Sequence, residues 1–294
     1  MELTAKKSMR RASIGSIHVG EMEPLFLILG PCVLETLDGA LEIASKVREI
    51  GLKHSVSVVF KASFDKANRT SGKSYRGPGL DQGLEMLAEI RRRTGLPVTT
   101  DVHECHQAET AGKILDLIQI PAFLARQTDL VLTAAKTGKP VNIKKGQFMA
   151  PWDMKNVAAK VRETGNSNLL LTERGTSFGY NTLVSDMRAI PWMQDIGSPV
   201  IFDATHSVQM PGGAGDRTSG DRRMVPILAA SAISAGCDGL FLETHPEPDK
   251  SPSDGPNMVP LDELEQLVVG CLAIRNALKT HPLPCLQGST RPAK

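Results

Sequence analysis

Eight short apolar runs recur along the chain, each rich in Val, Ile, Leu or Phe: Phe26–Leu29, Val56–Phe60, Pro97–Thr100, Leu117–Ile120, Val141–Ile143, Asn168–Thr172, Val200–Phe202 and Gly239–Leu242. Between them lie stretches whose apolar residues return at helical spacing, such as Leu37–Gly51, Leu80–Thr94, Glu104–Leu115, Met154–Thr164 and Ser219–Ala235. Another, Leu261–Leu278, comes after the last run. Continuous apolar runs suit strands buried on both faces, and their alternation with amphipathic helices predicts parallel β/α units. The expected fold is therefore α/β, a (β/α)8 TIM barrel, with a doubly wound open sheet as the alternative. Ahead of the first run, Ser13–Gly20 alternates around a turn and predicts a β-hairpin that caps one end of the fold.

Composition adds bounds. A chain of 294 residues with 41% hydrophobic content can bury one large core. The expected organisation is one barrel domain over 25–279, an N-terminal extension carrying the hairpin over 1–24, and a disordered tail over 280–294, where prolines mix with polar residues. A net charge of +2 with interspersed signs offers no field suited to nucleic acid or a membrane surface. Five scattered cysteines without Cys-x-x-Cys spacing speak against a disulfide framework and for a reducing, cytoplasmic setting. No apolar run approaches the roughly 20 residues that would span a bilayer.

The chemistry sits where the apolar runs end. Cys32, Lys61, Ser63, Asp101, His103, Gln119, Lys144, Lys145, Glu173, Arg174, Asp203, His206, Glu243 and His245 all lie at or just past the end of a run. In a barrel those ends converge on one mouth. Six cations, Lys61, Lys66, Arg69, Arg126, Lys144 and Arg174, are placed to hold small anions, since an ammonium at the end of a buried strand needs a compensating negative charge. The bland reading, surface cations paired with helix carboxylates, describes most lysines. Cys32, His206, Glu243 and Asp254 form a donor set for a divalent ion such as Zn, Fe or Mn, although a lone Cys after Gly-Pro is commonly a small buried hydrophobe. Met210–Gly220, with four glycines, reads equally as a lid or a plain solvent loop.

Several long segments carry a resemblance: Phe60-Lys-Ala-Ser-Phe-Asp-Lys-Ala-Asn-Arg69, Ser74-Tyr-Arg-Gly-Pro-Gly79, Thr100-Asp-Val-His-Glu104, Gln119 to Asp129, Asn142-Ile-Lys-Lys-Gly-Gln-Phe148, Thr172-Glu-Arg-Gly175, Asp203-Ala-Thr-His206 and Glu243-Thr-His-Pro246. Over 25–279 the chain resembles the 3-deoxy-D-manno-octulosonate 8-phosphate synthases. The resemblance implies a barrel enzyme that condenses phosphoenolpyruvate with arabinose 5-phosphate for lipopolysaccharide synthesis, without an organic cofactor, as a homotetramer. It further implies that Lys61, Ser63, Lys66, Gln119, Lys144 and Arg174 meet phosphoenolpyruvate. Asn68, Arg69, Thr70, Ser71 and Asp101 would meet the pentose phosphate, and Lys66, Lys144, His206 and Asp254 would carry the chemistry. Cys32 matches the metal-dependent branch of that family, whereas Ser253-Asp254-Gly255-Pro256 is closer to its metal-independent branch. Rival expectations are an imine-forming aldolase working through Lys61 or Lys144, a heptulosonate phosphate synthase using erythrose 4-phosphate, and a non-catalytic phosphosugar-binding regulator.

Overall fold

The computed structural model describes residues 10–69, 71–212 and 219–284. The chain runs through β1 (Arg11–Ile14), β2 (Ile17–Gly20), β3 (Phe26–Gly30), α1 (Leu37–Lys53), β4 (Ser57–Lys61), α2 (Leu80–Thr94), β5 (Val98–Asp101), α3 (Cys105–Ala111), β6 (Leu117–Ile120), α4 (Thr128–Lys136), β7 (Val141–Lys144) and α5 (Met154–Glu163). It continues through β8 (Leu169–Glu173), β9 (Thr176–Ser177), β10 (Leu183–Val184), α6 (Ala189–Gln194), β11 (Val200–Asp203), β12 (Gln209–Met210), β13 (Ser219–Gly220), α7 (Val225–Ser234), β14 (Gly239–His245), β15 (Val259–Pro260) and α8 (Leu264–Thr280).

Strands β3, β4, β5, β6, β7, β8, β11 and β14 pair in parallel in that order, and β14 returns to β3 to close the ring. One helix comes after each of these strands, so the barrel expectation is met and the open sheet is excluded. Successive side chains of each strand alternate between two cores. In β4, Val58 and Phe60 face the helices while Val59 faces the barrel interior. Phe26, Ile28, Val59, Leu117, Leu170, Ile201 and Phe241 make that interior apolar, and Ala12, Ile14 and Val19 of the β1–β2 hairpin pack against it. The hairpin is thus the expected cap, tied to the barrel by the Ser13 N–H donating to Asn168 Oδ1 at 3.0 Å.

Some boundaries differ from expectation. Helix α7 begins at Val225, not Ser219, because Pro226 favours a first-turn position and Ser219–Gly220 pairs with Gln209–Met210 instead. Helix α3 stops at Ala111, next to Gly112. The tip of the glycine-rich segment and most of the expected tail lie outside the described residues. No helix among the described residues is long and apolar enough to cross a membrane.

Gly30 sets the close approach that delivers Cys32 to the barrel mouth. Its φ is +154°, and a Cβ there would lie 2.0 Å from the Lys61 carbonyl oxygen on the neighbouring strand. Gly30→Ala is expected to cost about 1–3 kcal/mol, read as a lowered Tm; an unchanged Tm would show that β3 and β4 can part without penalty.

Candidate active site

The interior changes character toward the C-terminal ends of the strands. Lys61, Asp101, Gln119, Asn142, Lys144, Thr172, Asp203 and Glu243 are all buried there. Above them opens a cavity of about 750 Å³, lined in part by Lys66, Arg69, Asp101, Lys144, Arg174 and His206. Asn68 and Asp254 also face it. Charges of both signs packed this densely are tolerable only in pairs.

The pairs are specific. Lys61 donates to Glu243 Oε1 at 2.6 Å and to the Cys32 carbonyl at 3.0 Å. Lys144 donates to Asp203 Oδ2 at 2.6 Å and lies 3.5 Å from the centroid of the Phe241 ring. Burial pulls the Lys144 pKa below the usual lysine value, more than Asp203 and Asp101 push it up. For Asp203 the balance reverses: burial raises its pKa, but His206 and Lys144 outweigh it and hold the carboxylate ionised. Asp203 also fixes His206, whose ring Nδ1 lies 2.8 Å from Asp203 Oδ2 and whose backbone N–H donates to Asp203 Oδ1 at 2.9 Å. With both amines committed to carboxylates, Lys61 and Lys144 are poorly placed to form an imine.

Cys32, Glu243 and Asp254 meet beside this cation cluster, each offering one ligand atom within 4.8 Å of the others. The Cys32 thiol approaches Ser253 Oγ and Asp254 Oδ2, both at 3.1 Å. Burial, reinforced by the charge of Glu243, raises the Cys32 pKa far above an ordinary thiol, so the proton stays on sulfur unless a cation replaces it. Glu243 Oε2 is buried with no hydrogen-bond partner among the described residues. One sulfur and two carboxylates, one of them with an orphaned oxygen, suit a borderline divalent ion. The fourth expected ligand, His206, stands just outside this triad, with Nε2 3.6 Å from Glu243 Oε1.

The other expected site residues lie beneath the cavity, at its rim or away from it. Lys61, Ser63 and Gln119 lie beneath the cavity, with Ser63 and Gln119 donating to Asp101 at 2.9 Å each. Arg69 ties its own loop to the segment after β14, donating to Ser253 Oγ at 2.8 Å and to the Pro252 carbonyl at 2.7 Å. Ser71 is half-buried and accepts from the Lys73 N–H at 3.3 Å. Thr70 lies outside the described residues. Arg126 is exposed and is not among the residues that line the cavity. Three residues gain a role from the structure that their sequence context does not give them. Asp203 stands out in the sequence as the polar end of a strand, but its pairing with Lys144 and His206 does not. Gln209 bridges Arg174 at 2.5 Å and Asp254 at 2.9 Å, and Ser253 joins Arg69 to Cys32. The last two come from loops whose contacts no local pattern encodes.

Residues 3–278 match the model of the DAHP synthetase I family. A protein of Nitrobacter winogradskyi named 2-dehydro-3-deoxyphosphooctonate aldolase is 56% identical over 274 residues, covering 93% of this chain and 96% of the relative. Proteins of the same name from a Bradyrhizobium species and from Rhodopseudomonas palustris are 55% and 59% identical, over 94% and 86% of this chain and 97% and 89% of theirs.

Proposed function

The chain belongs to the DAHP synthetase I family, and from that membership we propose that it condenses phosphoenolpyruvate with arabinose 5-phosphate and water, giving 3-deoxy-D-manno-octulosonate 8-phosphate and inorganic phosphate for lipopolysaccharide synthesis. The observation that carries this reading is the gathering of Lys66, Lys144 and Arg174 around one cavity large enough for two small phosphorylated substrates. The non-catalytic reading loses ground because the same cavity also holds an Asp203-oriented imidazole.

Lys144 and Arg174 take the phosphate and carboxylate of phosphoenolpyruvate, Arg174 with its planar fork and Lys144 as a point charge. That leaves C3 of the enol free to approach the aldehyde carbon of the open-chain pentose. As the new C–C bond forms, charge grows on the aldehyde oxygen, and Lys66 donates to it. Water then adds at C2; His206, held by Asp203, orients it and takes its proton, with Asp254 beside them. Collapse of the tetrahedral centre breaks the C2–O bond and releases phosphate. Asn68, Arg69, Thr70, Ser71 and Asp101 serve the pentose phosphate, and Lys61, Ser63 and Gln119 support the floor from below.

We further read the chain as one of the metal-dependent branch: Cys32, Glu243 and Asp254 are the residues that would hold a divalent ion, with His206, the fourth ligand expected from sequence, left free to act on the water; such an ion, when bound, would supply positive charge that orients polar groups of substrate or water. The reading also includes one barrel domain over 25–279, a homotetramer, and a cytoplasmic setting supported by the cysteine pattern.

The test is phosphate release from phosphoenolpyruvate with arabinose 5-phosphate or with erythrose 4-phosphate, before and after chelation. Release that depends on the pentose and falls at least tenfold with chelator is expected. Dependence on the tetrose instead would make the chain a heptulosonate phosphate synthase. A rate indifferent to chelation would remove the metal branch alone.

A further inference from the structure

A chain of buried hydrogen bonds crosses four neighbouring strands, β8, β7, β6 and β5, below the cavity and ends on Asp101. Thr172 Oγ1 donates to Asn142 Oδ1 at 2.7 Å, Asn142 Nδ2 donates to Gln119 Oε1 at 2.9 Å, and Gln119 Nε2 donates to Asp101 Oδ1 at 2.9 Å. From the other side Ser63 Oγ donates to Asp101 Oδ2 at 2.9 Å. Ser63, Gln119, Asn142 and Thr172 have no exposed surface, so water cannot substitute for any link.

The direction of every bond is dictated by the carboxylate. Ionised Asp101 only accepts, so Gln119 must turn its amide nitrogen toward it and its oxygen toward Asn142. Asn142 must then present nitrogen to Gln119 and oxygen to Thr172, whose hydroxyl must donate. Reversal of one amide leaves two oxygens, or two NH2 groups, facing each other in a dry interior. Asp101 lies at the cavity floor, where burial raises its pKa but Lys61, Lys144, Lys66 and His103 more than offset it. Lys61 Nζ is 3.9 Å from Asp101 Oδ2.

We propose that Asn142 and Thr172, neither of which faces the cavity, are positioning residues that set the orientation of the Asp101 carboxylate through Gln119, and thereby the capture of the pentose phosphate. The inference rests on the proposed function, in which Asp101 belongs to the pentose side of the cavity. The alternative is a chain that merely satisfies polar groups inside the barrel, which would alter stability without favouring one substrate.

Asn142→Asp separates the two. The introduced carboxylate turns an acceptor toward Gln119 Oε1, while its direct neighbours Gln119 and Thr172 are uncharged and cannot neutralise it. Gln119 then rotates and presents oxygen to Asp101. Roughly tenfold loss of kcat/KM for arabinose 5-phosphate is expected, about the size of one buried hydrogen bond, with KM for phosphoenolpyruvate within twofold of wild type. The loss should shrink as pH falls relative to wild type at each pH, because the protonated carboxyl donates to Gln119 Oε1 as the amide did. Thr172→Val, which removes only the terminal donor, should raise KM for the pentose phosphate about threefold with no pH-dependent recovery. Wild-type turnover of the pentose phosphate tests the function; the ratio of variant to wild type tests the chain. If Asn142→Asp does not fold, Thr172→Val decides alone. Equal losses for both substrates, unchanged kinetics in Thr172→Val, or an Asn142→Asp pH profile parallel to wild type would each overturn the proposal.

Discussion

Lys66→Met is expected to lower kcat/KM for condensation by 10²–10³-fold, about 3–4 kcal/mol, while Tm falls by only a few degrees as the nearby carboxylates lose one cation. Lys61 and Lys144 are locked to carboxylates, but Lys66, half-buried at the rim, makes no such ion pair among the described residues. Burial lowers its pKa, yet the carboxylates of Glu243, Asp254 and Asp101 around it push the other way, and the balance lies above the ordinary lysine value. An ammonium so reluctant to lose its proton polarises the aldehyde oxygen by hydrogen bonding and is a poor proton donor near neutral pH. Lys66→Arg, which keeps the charge but moves the donors, should recover part of the loss. Steady-state kinetics beside thermal unfolding checks this, and a Lys66→Met enzyme within threefold of wild type would remove Lys66 from the reaction.

The barrel was legible because its strands are buried on both faces. Val58-Val59-Phe60 reads as one apolar run, although alternate residues serve the helix layer and the interior. A polar residue at the end of such a run therefore stands out, and Lys61, Lys144, Asp203 and Glu243 do lie together under one cavity. Proximity to a strand end could not separate residues that line the cavity from those that brace them. Lys61, Ser63 and Gln119 looked like ligand contacts, yet each spends its polar atoms on another buried side chain. That distinction depends on which carboxylate each meets across the ring, between 18 and 182 residues away in sequence for these three pairs. Cys32, Glu243 and Asp254 did converge, while His206 turned toward Asp203 three residues earlier, a local partner that competes with any more distant one.

Lys61→Met is expected to destabilise the metal-free protein by about 3–5 kcal/mol, because it leaves the Glu243 carboxylate buried without its closest partner. For a chain of this size that is a fall in Tm of roughly 5–8 °C. The hydrogen bond from Lys61 to the Cys32 carbonyl disappears as well. If the cost is an uncompensated charge and not a packing defect, adding Glu243→Leu should restore most of the stability, since two apolar side chains can replace a buried ion pair. Activity should stay lost in the double variant, because the cavity floor and a metal-ligand candidate are both gone. A divalent cation bound at Glu243 would supply positive charge in the lysine's place, so adding one should raise the Tm of Lys61→Met more than that of wild type. Thermal unfolding of wild type and the single and double variants, with and without the ion, reads every arm. Equal Tm values for Lys61→Met and wild type without the ion would mean that Glu243 sheds its charge by taking up a proton when its lysine is removed.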